Sequence, residues 1–161
     1  MSGRSATPAV LGASILLALA AVGAAVYTQV QWGIQPCPWC VLQRAIFVCI
    51  ALAALPGLLL AVAATRVLSA LLMLLLAAGG VASALWQHFV AASSTSCNLT
   101  LADKIVRGAG LDELWPLGFS ATASCADAAT NLLGVPYEFY SLALFAALGA
   151  AAAWLLLKAR R

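Results

Sequence analysis

Apolar residues gather into four long stretches, at about residues 9–30, 41–64, 67–90 and 139–157, and polar residues into the gaps between them. Each stretch is close to or above the about 20 consecutive apolar residues that a helix needs to cross a bilayer. The pattern predicts an all-α membrane protein, a bundle of four transmembrane helices. A short outer loop, about residues 31–40, joins the first two helices, and a long one, about residues 91–138, joins the last two.

Two stretches need argument. Residues 1–30 have the look of a signal peptide, with Arg4 ahead of the apolar run and Ala24 and Ala25 as small residues for cleavage. The run is longer than the usual apolar core of about 7–15 residues, so a retained helix is expected. Pro56 and Gly57 interrupt the second stretch. A helix ending at Leu55 would be only about 15 residues long, too short to cross comfortably. A kinked or frayed end with a tight turn around Thr65 and Arg66 accommodates both facts. Inside the long gap, residues 100–109 read as a short amphipathic helix. Thr100 and Asp103 form a capping-box pattern, Leu101, Ile105 and Val106 give one apolar face, and Gly108 and Gly110 stop it. Such a helix is expected in the membrane interface.

Composition removes the alternatives to a membrane protein. The 161 residues are 65% hydrophobic and 8% charged, against about a quarter charged in soluble domains. No sizeable soluble domain is left, and residues 1–161 are read as one membrane domain. The net charge of +3 sits mostly at helix ends, which speaks for topology and against nucleic-acid binding. Arg4, Arg66, Lys158, Arg160 and Arg161 fall on one side, and Arg44, Lys104 and Arg107 on the other. The positive-inside rule then predicts that both termini are cytoplasmic. Asp103, Asp112, Glu113, Asp127 and Glu138 all lie outside, and Trp32, Trp39, Trp86, Trp115, Tyr137 and Tyr140 would form an outer aromatic belt. Five cysteines in so short a chain fit an oxidising compartment.

Four of those cysteines share the outer side. Cys37-Pro38-Trp39-Cys40 opens the second apolar stretch. A Cys-x-x-Cys pair closes a small disulfide that opens readily, and Cys40 falls in the first helical turn, where free N–H groups and the helix dipole favour a thiolate. Arg44, one turn on and on the same face, adds a positive charge. A structural disulfide or half a metal site are the bland readings of the same pair. Cys97 and Cys125 lie in the long gap, where they could staple the loop. Beside a reactive pair on the same face they could also exchange with it, since exchange needs only a thiolate and in-line access. Four thiols could bind zinc, but structural zinc sites use two short-spaced pairs, and Cys97 with Cys125 is not one. Cys49, inside the second stretch, reads as a small buried core residue. His88, near the outer end of the third, is either an idle interfacial histidine or a hydrogen-bond partner for a membrane cofactor.

These residues resemble those of the DsbB family of disulfide bond formation proteins. The resemblance is carried by Pro36-Cys37-Pro38-Trp39-Cys40-Val41-Leu42-Gln43-Arg44, the position of His88, Cys97, and Ser124-Cys125-Ala126-Asp127 followed by Leu133-Gly134, and it covers nearly the whole chain. It implies a quinone-dependent thiol oxidase of the bacterial inner membrane, with Cys37, Cys40, Cys97 and Cys125 catalytic. A DsbA-like thioredoxin-fold protein in the periplasm would be the partner, attacking the Cys97–Cys125 disulfide at Cys97. Cys37 would then exchange onto Cys97 and free Cys40 to reduce a quinone, ubiquinone or menaquinone, held by Arg44 and His88. DsbA-type oxidants sit at about −120 mV, a known value of that protein and not one read from this chain, so the acceptor must lie higher. Where the family often carries Pro-x-Trp at the start of the last helix, this chain has Glu138-Phe139-Tyr140.

Two rivals remain. A vitamin K epoxide reductase-like enzyme would share the bundle and the Cys-x-x-Cys, but its motif sits late, whereas here it follows the first helix. A non-catalytic tetraspan protein would use the disulfides only to staple its loop.

Overall fold

In the computed structural model, which describes residues 3–60, 62–93 and 100–159, four helices are long and apolar enough to cross a membrane. They are α1 (Gly3–Trp32), α2 (Pro38–Leu59), α3 (Ala63–Phe89) and α7 (Tyr137–Ala159). Between α3 and α7 lie a 3-10 turn (Ala91–Ser93) and three short helices, α4 (Leu101–Gly108), α5 (Leu111–Leu114) and α6 (Pro116–Phe119). A two-residue-per-strand hairpin, β1 (Asn131–Leu132) and β2 (Val135–Pro136), leads into α7. Cys97, Arg160 and Arg161 lie outside the described residues.

The helix boundaries have local causes. Cys37 is the N-cap of α2, in extended conformation, and Pro38 takes the first helical position, where its missing N–H costs nothing. Pro56 lies in the last turn of α2, and the helix stops at Leu59 instead of continuing to about residue 64. The turn thus falls earlier than expected, and the Thr65 hydroxyl, in the first turn of α3, lies 2.8 Å from the carbonyl oxygens of both Leu60 and Val62, between which its one proton can be shared.

With lipid tails as apolar as leucine, helices in a bilayer associate through close packing of small residues. Here Ala18, Ala51, Ala54, Ala70, Ala77 and Ala152 are buried in the core around Leu11, Ile50, Met73, Phe145 and Leu148. The rings of Phe47 and Phe145 stack with centroids 4.0 Å apart. Gly80 lets Phe145 lie against α3; any Cβ there would run into the ring. The Gly57 N–H reaches the Ser69 hydroxyl at 3.0 Å, tying α2 to α3 near the end remote from the cysteines. At that same end Arg66 and Lys158 meet around a cavity of about 220 Å³.

The long connection folds over the start of α2. Thr100 and Asp103 form the anticipated capping box at α4. The buried face of α4 differs from expectation, however: Ala102 and Val106 face Val41, Leu42, Ala45 and Phe119, while Leu101 and Ile105 are exposed. Ala102, fully buried, fits against α2 beside Val106. The hairpin turns through Leu133 (φ 52°) and Gly134 (φ 82°), both left-handed as a two-residue turn of this kind requires.

Candidate redox site

The N-terminus of α2 gathers three cysteines. Cys37 is fully buried, its Sγ lies 2.6 Å from the Cys40 Sγ, and the Cys40 N–H donates to the Cys37 sulfur at 3.2 Å, so the N-cap is itself a thiol. A Sγ separation so short leaves little movement before the about 2.05 Å of a disulfide. Cys125 packs on Cys37 together with Ala91 and beside Trp39. Its loop is held there by backbone bonds from Thr122 and Ala123 to the Pro36 carbonyl, at 3.0 and 3.3 Å. The Asp127 N–H donates to the Ser124 hydroxyl, which in turn donates to the Asp127 carboxylate at 2.6 Å, fixing the turn around Cys125.

The described cysteines are free thiols, and their surroundings divide them. Donation to Cys125, then the contact with Cys40, then burial hold the Cys37 thiol well above the ordinary thiol range. Cys125 moves the other way. The hydrogen bond from Cys37 outweighs burial, and the N–H of Trp39, one of the free donors at the start of α2, adds to it. Cys125 is thus favoured as a thiolate in contact with Cys37, placed to attack that sulfur once Cys37 is disulfide-bonded.

Cys40 also borders a cavity of about 260 Å³ lined by α1, α2, α3, α7 and Leu132 of the hairpin. Its wall includes apolar Ala21, Phe47 and Leu144 and polar Thr28, Gln43, Arg44, Gln87, Tyr137 and Glu138. Arg44 is 6% exposed. Its guanidinium donates to the Gln29 side-chain oxygen at 2.7 Å, to the Gly118 carbonyl at 3.1 Å and to the Ala25 carbonyl at 3.3 Å. All three acceptors are neutral, so the positive charge stays available to the cavity. α6 thus serves as a lid on Arg44, and Gly118 is needed there because a Cβ would strike the Trp115 ring. Gln87 donates to the Cys40 sulfur at 3.3 Å and accepts from Gln43 at 2.8 Å.

The structure therefore brings Cys37, Cys40, Cys125 and Arg44 together, while Cys97 lies outside the described residues. The sulfur packed on Cys37 is that of Cys125, where exchange with Cys97 was expected. His88 is not in the cavity wall; its Nδ1 lies 2.6 Å from Oε1 of Glu138, and Glu138 is the residue that reaches the cavity. Cys49, expected in the core, is exposed, one position off the buried stripe of Phe47, Ile50, Ala51 and Ala54. Gln43, Gln87 and Glu138 were not foreseen as part of the site. Two glutamines inside apolar stretches were the available signal, since polar groups at membrane depth are costly and tend to meet one another.

A four-helix membrane bundle with a Cys-x-x-Cys pair at a helix start, a third thiol packed on it and a buried arginine hydrogen-bonded to neutral acceptors defines a membrane thiol–disulfide protein. The chain belongs to the DsbB family: the profile described as disulfide bond formation protein DsbB matches residues 7–155. It is 33% identical over 133 residues to disulfide bond formation protein B 1 of Pseudomonas savastanoi pv. phaseolicola, covering 81% of this chain and 78% of that protein. Similar relatives of the same name are found in Pseudomonas entomophila, at 34% identity over 81% of this chain and 78% of theirs. The one in Pseudomonas aeruginosa is 30% identical over 83% of this chain and 85% of its own length.

Proposed function

We propose that the protein oxidises the dithiol of a DsbA-like thioredoxin-fold partner in the periplasm and delivers the electrons to a membrane quinone, with both termini in the cytoplasm and the bundle in the bacterial inner membrane. The observation that carries this reading is the position of Cys40, which has the Cys37 sulfur at 2.6 Å and also borders the Arg44 cavity.

A partner thiolate attacks Cys97 of the Cys97–Cys125 disulfide, and the partner's second thiol then displaces Cys97, so the partner leaves oxidised and Cys125 is left as a thiolate. Cys125 attacks Cys37, breaking the Cys37–Cys40 bond and releasing Cys40 as a thiolate. Cys97 then displaces Cys37 from Cys125, which restores the loop disulfide and leaves the Cys37–Cys40 pair reduced. Each exchange conserves one S–S bond and passes two electrons inward. Contact between Cys125 and Cys37, and the Trp39 N–H that favours a thiolate at Cys125 whether or not Cys37 carries a proton, support the inward step.

The cavity suits a flat, weakly polar acceptor. Its walls are largely apolar, and Arg44 presents a cation with no anionic partner among the described residues. Arg44, Gln87 and Gln43 would hold a quinone head against Cys40. When bound, the quinone supplies a two-electron, two-proton acceptor. Arg44, itself buried, contributes a preorganised positive charge where negative charge develops.

The test is quinone reduction by the purified protein with a reduced thioredoxin-fold dithiol as donor, comparing wild type with Cys40→Ser and Cys97→Ser. Turnover by wild type and its loss in both folded variants is expected. A folded wild type that reduces neither ubiquinone nor menaquinone would leave a tetraspan protein with a stapled loop.

A further inference from the structure

We propose that Glu138 is the proton donor to the acceptor in the Cys40 cavity and that His88 reloads it from the aqueous side. This deepens the functional reading above and rests on it.

Glu138 begins the last membrane helix, is 7% exposed, and lines the same cavity as Cys40 and Arg44. A buried carboxyl is costly unless it is paired or protonated. The cation in the cavity does not pair with it, because the Arg44 guanidinium is turned to Gln29, Gly118 and Ala25. Its contact is instead His88, with Nδ1 at 2.6 Å from Oε1. His88 is 31% exposed. The rings of Phe89 and Phe139 lie against it with centroids 4.8 Å away in each case, fixing its plane. One end of the pair thus opens on the cavity and the other on the surface, as a two-member proton relay requires. The other titratable or charged groups facing Glu138 are Cys40 and Arg44 on α2, Tyr137 and Tyr140 on α7, and Cys125 from the loop.

The proton balance of the reaction leaves a place for such a donor. Oxidation of the pair, as a Cys37 thiol and a Cys40 thiolate, forms one S–S bond, releases the single Cys37 proton and sends two electrons to the quinone. Quinol formation needs two protons. Cys37 provides one, the second is passed to the acceptor by Glu138, and water resupplies it along the His88–Glu138 contact.

The experiment uses the full-length protein with a short-chain ubiquinone analogue and a small dithiol as reductant. Three quantities are read: binding of the analogue by quenching of tryptophan fluorescence, the rate of its reduction, and the carboxylic-acid band in infrared difference spectra. Glu138→Gln is expected to bind the analogue within about twofold of wild type yet reduce it about 100-fold more slowly, the scale of one general acid. Glu138→Asp should recover most of the rate, and His88→Ala should be slow and be rescued by added imidazole. Wild type should show a carboxylic-acid band that changes on reduction, absent in Glu138→Gln. An unchanged rate in Glu138→Gln, or a loss of rate matched by an equal loss of binding, overturns the proposal while the thiol relay stands. A wild type that reduces no quinone overturns the functional reading and this proposal together.

Discussion

Replacing Arg44 with methionine removes the cation that, among the described residues, lines the Cys40 cavity, and keeps a side chain of comparable length. On α2 the two residues are one turn apart, so the charge acts over about 6 Å. At an effective dielectric of about 20 that is about 3 kcal/mol of stabilisation for negative charge developing beside Cys40, or about 100-fold in rate. Stability should move the other way or hardly at all. A charge that is 6% exposed and faces only neutral acceptors is unfavourable to bury, and its loss offsets the about 1 kcal/mol lost where Gly118 gives up a donor. The assay is single-turnover quinone reduction by the prereduced protein, with thermal unfolding in detergent as the control. Because the charge is buried, raising the salt concentration should leave the wild-type rate nearly unchanged. A folded Arg44→Met variant within about threefold of the wild-type rate would refute the electrostatic argument.

Three further outcomes are expected. Alkylation of Cys125 by a small reagent should persist to lower pH than an ordinary thiol, because Cys37 and the Trp39 N–H favour its thiolate, whereas Cys37 should react only at strongly alkaline pH; identical pH profiles by mass spectrometry would sink the assignment. Gly80→Ala pushes a methyl group into the Phe145 ring and should cost about 1–3 kcal/mol in unfolding experiments, while Gly79→Ala, with open space at its Cβ, should be near neutral. Thr100→Ala removes the capping box of α4 and should cost about 1 kcal/mol locally, visible as faster amide exchange confined to residues 101–108.

What was legible in the sequence was local. Apolar run length gives the four spanning helices, Pro38 after Cys37 marks the start of α2, and Thr100 with Asp103 marks the start of α4. Each signal lies within a few residues of what it specifies. The unread features depend on tertiary choices. Leu101, Ile105 and Val106 look like one face of α4, but Ala102 is the residue buried with Val106 against α2, and Leu101 and Ile105 are exposed. The hairpin before α7 escaped notice because a leucine, Leu133, takes a left-handed conformation usually left to glycine or asparagine. The sequence leaves His88 either idle or a partner for a cofactor, and the bundle adds that it contacts Glu138, on a helix distant in sequence, which lines the cavity.

The account turns on the order Cys125, Cys37, Cys40, acceptor, and anaerobic quinone reduction by Cys125→Ser driven by two different reductants tests it most directly. With a reduced thioredoxin-fold dithiol, Cys125→Ser should reduce no quinone; with a small dithiol that reaches the Cys37–Cys40 pair itself, it should reduce quinone as wild type does, and Cys40→Ser should fail with both. Partner-driven quinone reduction by Cys125→Ser at the wild-type rate would contradict the relay.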